Sequence, residues 1–426
     1  MDIKDFFNIS EKLIKISGDV ESSIKSIFNK VDSVKEHNTY KVLRAFHVNK
    51  VSESHFHSST GYGYGDIGRD VIDRLYAMVF DAQDAIVRPH IVSGTHAIAL
   101  CLYGILRPGD ELISITGKPY DTLEDVIGIS NKGNIGSLRD FGVSYKQVDL
   151  INGKVDYEGI KDAITSKTKM VLIQRSKGYN WRPSLDIRQI QQLIEYVKGI
   201  KSDVICFVDN CYGEFVEDKE PTSVGADIMA GSLIKNPGGG LVRSGGYIAG
   251  KREYVEMAAY RLTTPGTGRK VGSSLGTNRE IIQGLFFAPH VVSEALKSAI
   301  FASKLFDTLG FAVNPEWDDL RTDIIQIIRL GSKERLVSFC QGLQKGSPID
   351  SFVLPEPWDM PGYNEEIIMA AGTFVQGSSI ELSADAPLVD PYCVYLQGGL
   401  IYEQAKVGIL YGVQELLDKK LLHLPE

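Results

Sequence analysis

The apolar positions of this chain fall into two textures. Between about residues 65 and 250, short continuous apolar runs alternate with helically spaced ones. ELISITG (111–117), KMVLIQR (169–175), DVICFVDN (203–210), DIMAGSLIK (227–235) and GGYIAG (245–250) hold too few polar positions for one wet face. Each therefore reads as a strand buried on both sides, which requires helices over both faces of the sheet. Those helices are visible: Val71, Ile72, Leu75, Met78 and Val79 recur at helical spacing, and Leu185 to Val197 carries a second amphipathic pattern. The middle of the chain is expected to be α/β with a mostly parallel sheet. After about Pro289 the pattern changes to a long helical stretch (291–309), a strand-like TDIIQIIRL and a last helix near 400–418, the signature of a smaller α+β domain. Residues 1–45 read as a helical lead-in. The expected division is an N-terminal helical segment 1–60, a large domain 61–290 and a small C-terminal domain 291–426.

Composition agrees with this frame. The chain has 426 residues, 43% hydrophobic and 23% charged, enough to bury a large core. A net charge of −8 and a pI near 5.6 argue against a nucleic-acid partner. The opening MDIKDFFNIS has no basic segment leading into an apolar one, and no uncharged apolar window approaches about 18 residues. A cytoplasmic protein without a membrane partner is expected. Five scattered cysteines, Cys101, Cys206, Cys211, Cys340 and Cys393, suit reduced, buried thiols.

In an open α/β sheet, ligands bind beyond the carboxyl ends of the strands. Three such ends carry chemistry. In HIVSGTHAIALCLYGIL, Ser93 is placed to cap a helix whose first amides, at Gly94 and Thr95, form an anion site; a plain N-cap is the ordinary alternative. In ICFVDNCYGEF, Asp209 closes a buried strand, where a carboxylate needs a positive partner or hydrogen bonds; the ordinary alternative is a loop cap. In GSLIKNPGGG, Lys235 ends the next strand ahead of three glycines, where a solvated lysine before a turn is equally common. Together they supply what pyridoxal phosphate needs: a phosphate cradle, an acid for the ring nitrogen and a lysine to bond the aldehyde. The glycines would give that lysine slack, because glycine reaches backbone conformations closed to other residues.

Through SGTHA, KPYDTLEDVIG, VDNCYGEF, SLIKNPGGG and YLQGGLIYEQ, the chain resembles the fold-type I pyridoxal-phosphate enzymes of the cystathionine and methionine lyase group. Within it, the resemblance is strongest to the cystathionine β-lyase-like branch called aluminium resistance proteins, and it spans roughly residues 60 to 420. It implies a large domain with a seven-stranded, mostly parallel sheet. Lys235 would then carry the cofactor and act as base, Asp209 would pair with the ring nitrogen, and Ser232 would join Ser93, Gly94 and Thr95 at the phosphate. Tyr120 matches the aromatic that stacks on the ring, and Tyr212 resembles a tyrosine that binds the ring hydroxyl; a half-buried core aromatic is the alternative for each. Tyr64 matches a tyrosine that reaches the neighbouring subunit's phosphate, so a homodimer or homotetramer with the site at the subunit interface is implied. Arg69, at a different spacing, is a poorer match for the accompanying arginine. The expected activity is carbon–sulfur lysis, by β- or γ-elimination, of an amino acid such as cystathionine or methionine. The alternatives are an aminotransferase or another amino-acid transformation, or a cofactor-binding protein with a non-catalytic role.

Other features carry less. GYGDIG (63–68) spells a dinucleotide fingerprint, yet the polar NKVSESHFHSST ahead of it makes no buried strand. His55 and His57 have no third metal ligand in view. QRSKGYNWRPSL (174–185) is either a polar wall of the site or a solvated basic turn. Lyases of this group usually anchor the substrate carboxylate with a C-terminal arginine, but none follows Arg335, which leaves Arg175, Arg243, Arg269 and Arg321 as candidates.

Overall fold

The structure is a computed structural model describing residues 3–130, 135–360 and 365–425. It divides into two compact units, one of residues 38–287 and one combining 1–37 with 288–426. In chain order the first elements are α1 (Glu11–Val48), α2 (Ile67–Val79), β1 (Asp84–Arg88), α3 (Gly94–Ile105), β2 (Glu111–Ser114), α4 (Asp121–Ile127), β3 (Ser144–Gln147), α5 (Tyr157–Ala163), β4 (Thr168–Gln174), α6 (Ile187–Ile200), β5 (Ile205–Asp209), β6 (Ile228–Ser232), β7 (Gly246–Gly250) and α7 (Arg252–Leu262). The seven strands form one sheet in the order β1-β7-β6-β5-β4-β2-β3. Pairing is parallel from β6 through β5, β4 and β2 to β3, and antiparallel only where β7 lies between β6 and β1. All five strands expected from the apolar runs are present. The sequence pattern had not shown β1, a five-residue DAIVR with charged ends, or β3, a polar SYKQ at the sheet edge.

Both faces of the sheet are covered. Ile86, Phe207, Ile228 and Ile248 cluster with Ile98 and Leu102 of α3 and Ala258 of α7. On β7, Tyr247 alternates to the other face, packing against Phe80 (ring centroids 5.1 Å apart) and Tyr76 (6.0 Å). Among the described residues no strand precedes α2, so GYGDIG lacks the strand-turn-helix setting of a dinucleotide site; residues 53–56 form only a short 3-10 turn. Its histidine, His55, accepts a hydrogen bond at Nδ1 from the Ser52 amide (3.0 Å).

Asp66 fastens this loop. It caps α2 by accepting from the Arg69 amide (2.8 Å) and also accepts from Ser274 Oγ (2.6 Å), Asn278 Nδ2 (3.1 Å) and Ser59 Oγ. Burial opposes the charge, but these bonds outweigh it and hold the carboxyl down at about 2. A carboxyl lowered in the folded state adds stability above its unfolded value and loses it as pH falls through the folded one. Asp66→Asn is therefore expected to cost about 2 kcal/mol at neutral pH, with the difference from wild type in urea unfolding shrinking below about pH 4. A constant difference down to pH 2 would contradict this.

The second unit contains the C-terminal part of α8 (Asn278–Thr308), followed by β8 (Ala312–Asn314), β9 (Gln326–Arg329), α9 (Lys333–Lys345), β10 (Ile367–Ala370), β11 (Ser383–Pro387), β12 (Cys393–Gln397) and α10 (Tyr402–Asp418). Its five strands are all antiparallel, in the order β10-β11-β12-β9-β8. Glycines let α9 and α10 approach closely: a Cβ on Gly346 would lie 2.3 Å from Gly408 Cα. The helix expected to begin after Pro289 instead starts at Asn278 and contains the proline. Among the described residues, α8 alone is long and apolar enough to cross a membrane, and 72% of its apolar window is buried.

Candidate active site

Adjacent parallel strands put their carboxyl ends side by side, and β5, β6 and the turn before α3 converge there. Asp209, the last residue of β5, is buried, and its Oδ1 accepts from the Cys211 amide at 3.1 Å. Burial pushes its carboxyl up, opposed by Lys235 and by the amide and thiol of Cys211. Lys235 follows β6 and is half-buried, its Nζ 4.0 Å from the centre of the Tyr212 ring. Burial disfavours its ammonium, yet Cys211, Tyr212, Asp209 and Tyr120 together raise it well above the ordinary lysine value. Burial also pushes the Cys211 thiol and the Tyr120 phenol up.

The third piece arrives through α3. Ser93 caps the helix, its Oγ accepting from the His96 amide at 3.0 Å; the hydroxyl proton remains available to a ligand. Gly94 is closely packed: a Cβ there would stand 3.1 Å from Cys211 Sγ and 3.4 Å from Ser232 Cβ, so those side chains would have to give by a few tenths of an ångström. That close approach joins the amide end of α3 to the ends of β5 and β6. Thr95 Oγ1 accepts from the Tyr120 hydroxyl at 3.0 Å. Tyr120 itself is held by its amide, which donates to Gln174 Oε1 (3.1 Å). The structure therefore brings together Ser93, Gly94, Thr95, Tyr120, Asp209, Tyr212, Ser232 and Lys235.

Tyr64 stands apart. It is 69% exposed and stacks on Tyr62 with ring centroids 5.6 Å apart. Arg69 is buried and spent on its own loop, donating to the carbonyls of Gly63 (2.8 Å) and Gly272 (3.0 Å). The glycine run serves packing more than slack. A Cβ on Gly238 would lie 1.7 Å from the Leu233 carbonyl oxygen, so the turn folds back onto the end of β6, while Gly239 and Gly240 take φ of 55° and 72°.

The candidate arginine anchors are already engaged. Arg175 is fully buried and donates to Asn210 Oδ1 (2.8 Å), the Gly213 carbonyl (3.0 Å) and Glu217 Oε2 (2.7 Å), with Glu220 at 3.7 Å. It is a hub beneath the Asp209–Glu214 loop, which the sequence pattern did not reveal. Arg269 binds Asp84 (2.8 Å), Arg243 binds Glu280 (2.6 Å) and Arg321 binds Gln326 (2.7 Å). Arg175→Met would strand two carboxylates and is expected to cost about 3–5 kcal/mol, measured by denaturant unfolding. A loss below about 1 kcal/mol, the size of an exposed pair, would refute the hub.

These residues fit pyridoxal phosphate. A buried acid suits a protonated ring nitrogen, the close-packed Gly94 amide end of α3 suits a phosphate, and the lysine follows the strand next to the acid's. The fold is that of the fold-type I pyridoxal-phosphate enzymes. A sequence model of the methionine gamma-lyase family matches residues 13–417, and the chain belongs to that family. It is 52% identical over 419 residues to "Uncharacterized protein YnbB" of Bacillus subtilis (strain 168), covering 98% of this chain and 100% of that protein. The solved carbon-sulfur lyase involved in aluminum resistance from Clostridium novyi NT is 51% identical, with a TM-score of 0.93 over 96% of this chain and 97% of the other. The pyridoxal-5'-phosphate-dependent protein YhfS of Escherichia coli, 15% identical, shares the fold with a TM-score of 0.61, covering 90% of this chain and 97% of that one.

Proposed function

We propose that this chain is a pyridoxal-phosphate-dependent carbon–sulfur lyase that acts on a sulfur amino acid such as cystathionine or methionine, by β- or γ-elimination. The observation that carries it is the convergence of Lys235, Asp209 and the amide end of α3 on one place. When bound, pyridoxal phosphate supplies an electron sink that lets a proton leave the α-carbon of an amino acid. Lys235 would take that proton as general base. Asp209 would hold a proton on the ring nitrogen. The amides of Gly94 and Thr95 and the hydroxyls of Ser93 and Ser232 would hold the phosphate. Tyr120, fixed by Thr95 and Gln174, would lie against the ring, and Tyr212 would bind the ring hydroxyl.

In this reading Tyr64 serves the site of a second copy, which its exposure supports, so the working protein is a homodimer or homotetramer. The five cysteines are free and buried, which suits a reducing cytoplasm. The test is a substrate panel on the cofactor-loaded protein. Pyruvate from cystathionine or 2-oxobutyrate from methionine, without added keto acid, is the expected result. Turnover only with an added keto acid would make it an aminotransferase, and no keto acid from any sulfur amino acid would overturn the lyase reading.

A further inference from the structure

The loop between β1 and α3, which delivers Ser93, Gly94 and Thr95, is packed on one side and open on the other. Ile91 is fully buried against β7, where a Cβ on Gly246 would lie 2.6 Å from its Cγ2. Val92, the next residue, is 69% exposed, so side-chain packing does little to fix it. Its amide donates to Nδ1 of His96, one turn into α3, at 3.2 Å. Bonds also run back the other way: the His96 amide donates to Ser93 Oγ at 3.0 Å, and the Ala97 amide to the Ser93 carbonyl at 3.0 Å. His96 therefore clasps the two residues ahead of Gly94, Val92 with its ring and Ser93 with its amide. The arrangement is a capping box moved one residue upstream, with an imidazole in place of the usual Glu or Gln.

We propose that His96 is a positioning residue for the cofactor phosphate: a neutral ring whose Nδ1 fixes Val92, and with it the direction in which Ser93 Oγ and the first amides of α3 are presented. This rests on the reading that the start of α3 binds that phosphate. His96 acts through Val92 and Ser93. An imidazole nitrogen accepts a hydrogen bond only while it carries no proton, so the clasp requires the tautomer with its proton on Nε2. Burial lowers the His96 ring below the ordinary histidine value, which keeps that lone pair available at neutral pH. Ser93 Oγ already accepts from the His96 amide, and its proton is left to point at an anion. Without the ring, Val92 would keep only its backbone links to Ile91 and Ser93, and the presentation of the cradle would loosen from that side.

The test measures cofactor affinity and does not depend on lyase turnover. Pyridoxal phosphate and pyridoxal share the ring and the aldehyde and differ in the phosphate. Each is titrated into the cofactor-free chain and followed by its absorbance change on binding. His96→Ala is expected to bind pyridoxal phosphate about fivefold more weakly, the effect of one lost hydrogen bond, with pyridoxal affinity unchanged. His96→Asn places Oδ1 where Nδ1 stood, cannot titrate, and is expected to restore the wild-type value. A general loosening of the fold would weaken both ligands alike, so equal losses overturn the proposal. So does a change below about twofold for the phosphate form, against the fivefold expected, or a failure of asparagine to restore it. Should His96→Ala not fold, His96→Phe keeps a flat ring without the acceptor and is expected to show the same selective loss; wild-type affinity for pyridoxal phosphate, or equal losses for both ligands, then overturns the proposal. A wild-type chain that binds pyridoxal phosphate no better than pyridoxal would instead sink the phosphate reading of α3, on which the proposal stands.

Discussion

Lys235→Ala is expected to yield a folded protein that binds pyridoxal phosphate only reversibly and releases keto acid about 10,000-fold more slowly, the upper end for loss of a general base. Folding should survive for a local reason. The residue sits at φ −108° and ψ −149°, a backbone open to alanine, and the turn behind it is closed by the Gly238 amide bonding the residue's own carbonyl at 3.2 Å. Loss of the ammonium leaves Asp209 without that cation, but a carboxyl already pushed up by burial protonates in response and does not stay as a bare charge. Borohydride reduction followed by peptide mass spectrometry separates the two proteins: wild type should keep the cofactor at Lys235 and the variant should lose it on dialysis. Turnover within tenfold of wild type would remove Lys235 from the chemistry.

The architecture was legible wherever burial on both faces left a strand no polar option, as in ICFVDN and DIMAGSLIK, both of which became fully buried strands. It was illegible where position did the work of composition. The edge strand SYKQ needs no apolar face, and Pro289 is tolerated inside α8 although its type argues for a boundary. The meeting of Asp209 and Lys235 was foreseeable because they follow the consecutive parallel strands β5 and β6. Partners joined across the fold left no such trace. Arg175 read as a candidate carboxylate anchor and is a buried hub, and Glu214 finds its partner Tyr247 33 positions away. The glycines after Lys235 were expected as slack, and the structure accounts for Gly238 by a backbone contact.

Asp209→Asn tests the other half of the site. Asparagine keeps the size of the side chain and can still accept from the Cys211 amide, so the loop should hold and the melting temperature should change little. What it lacks is a charge to keep a proton on the ring nitrogen, without which the ring loses its capacity to accept the electron pair left at the α-carbon. Stabilisation of developing charge by one preorganised group is typically worth about 100- to 1,000-fold in kcat, and a loss of that size is expected here, with Lys235 still carrying the cofactor. The pairing predicts a second effect. Lys235 loses an acid that supports its ammonium, so its cyanate reactivity in the cofactor-free chain should rise near neutral pH. Slower turnover with an unchanged lysine profile would assign Asp209 to the ring alone; faster carbamylation with unimpaired turnover would assign it to the lysine alone. Only both changes together support one carboxylate serving both partners.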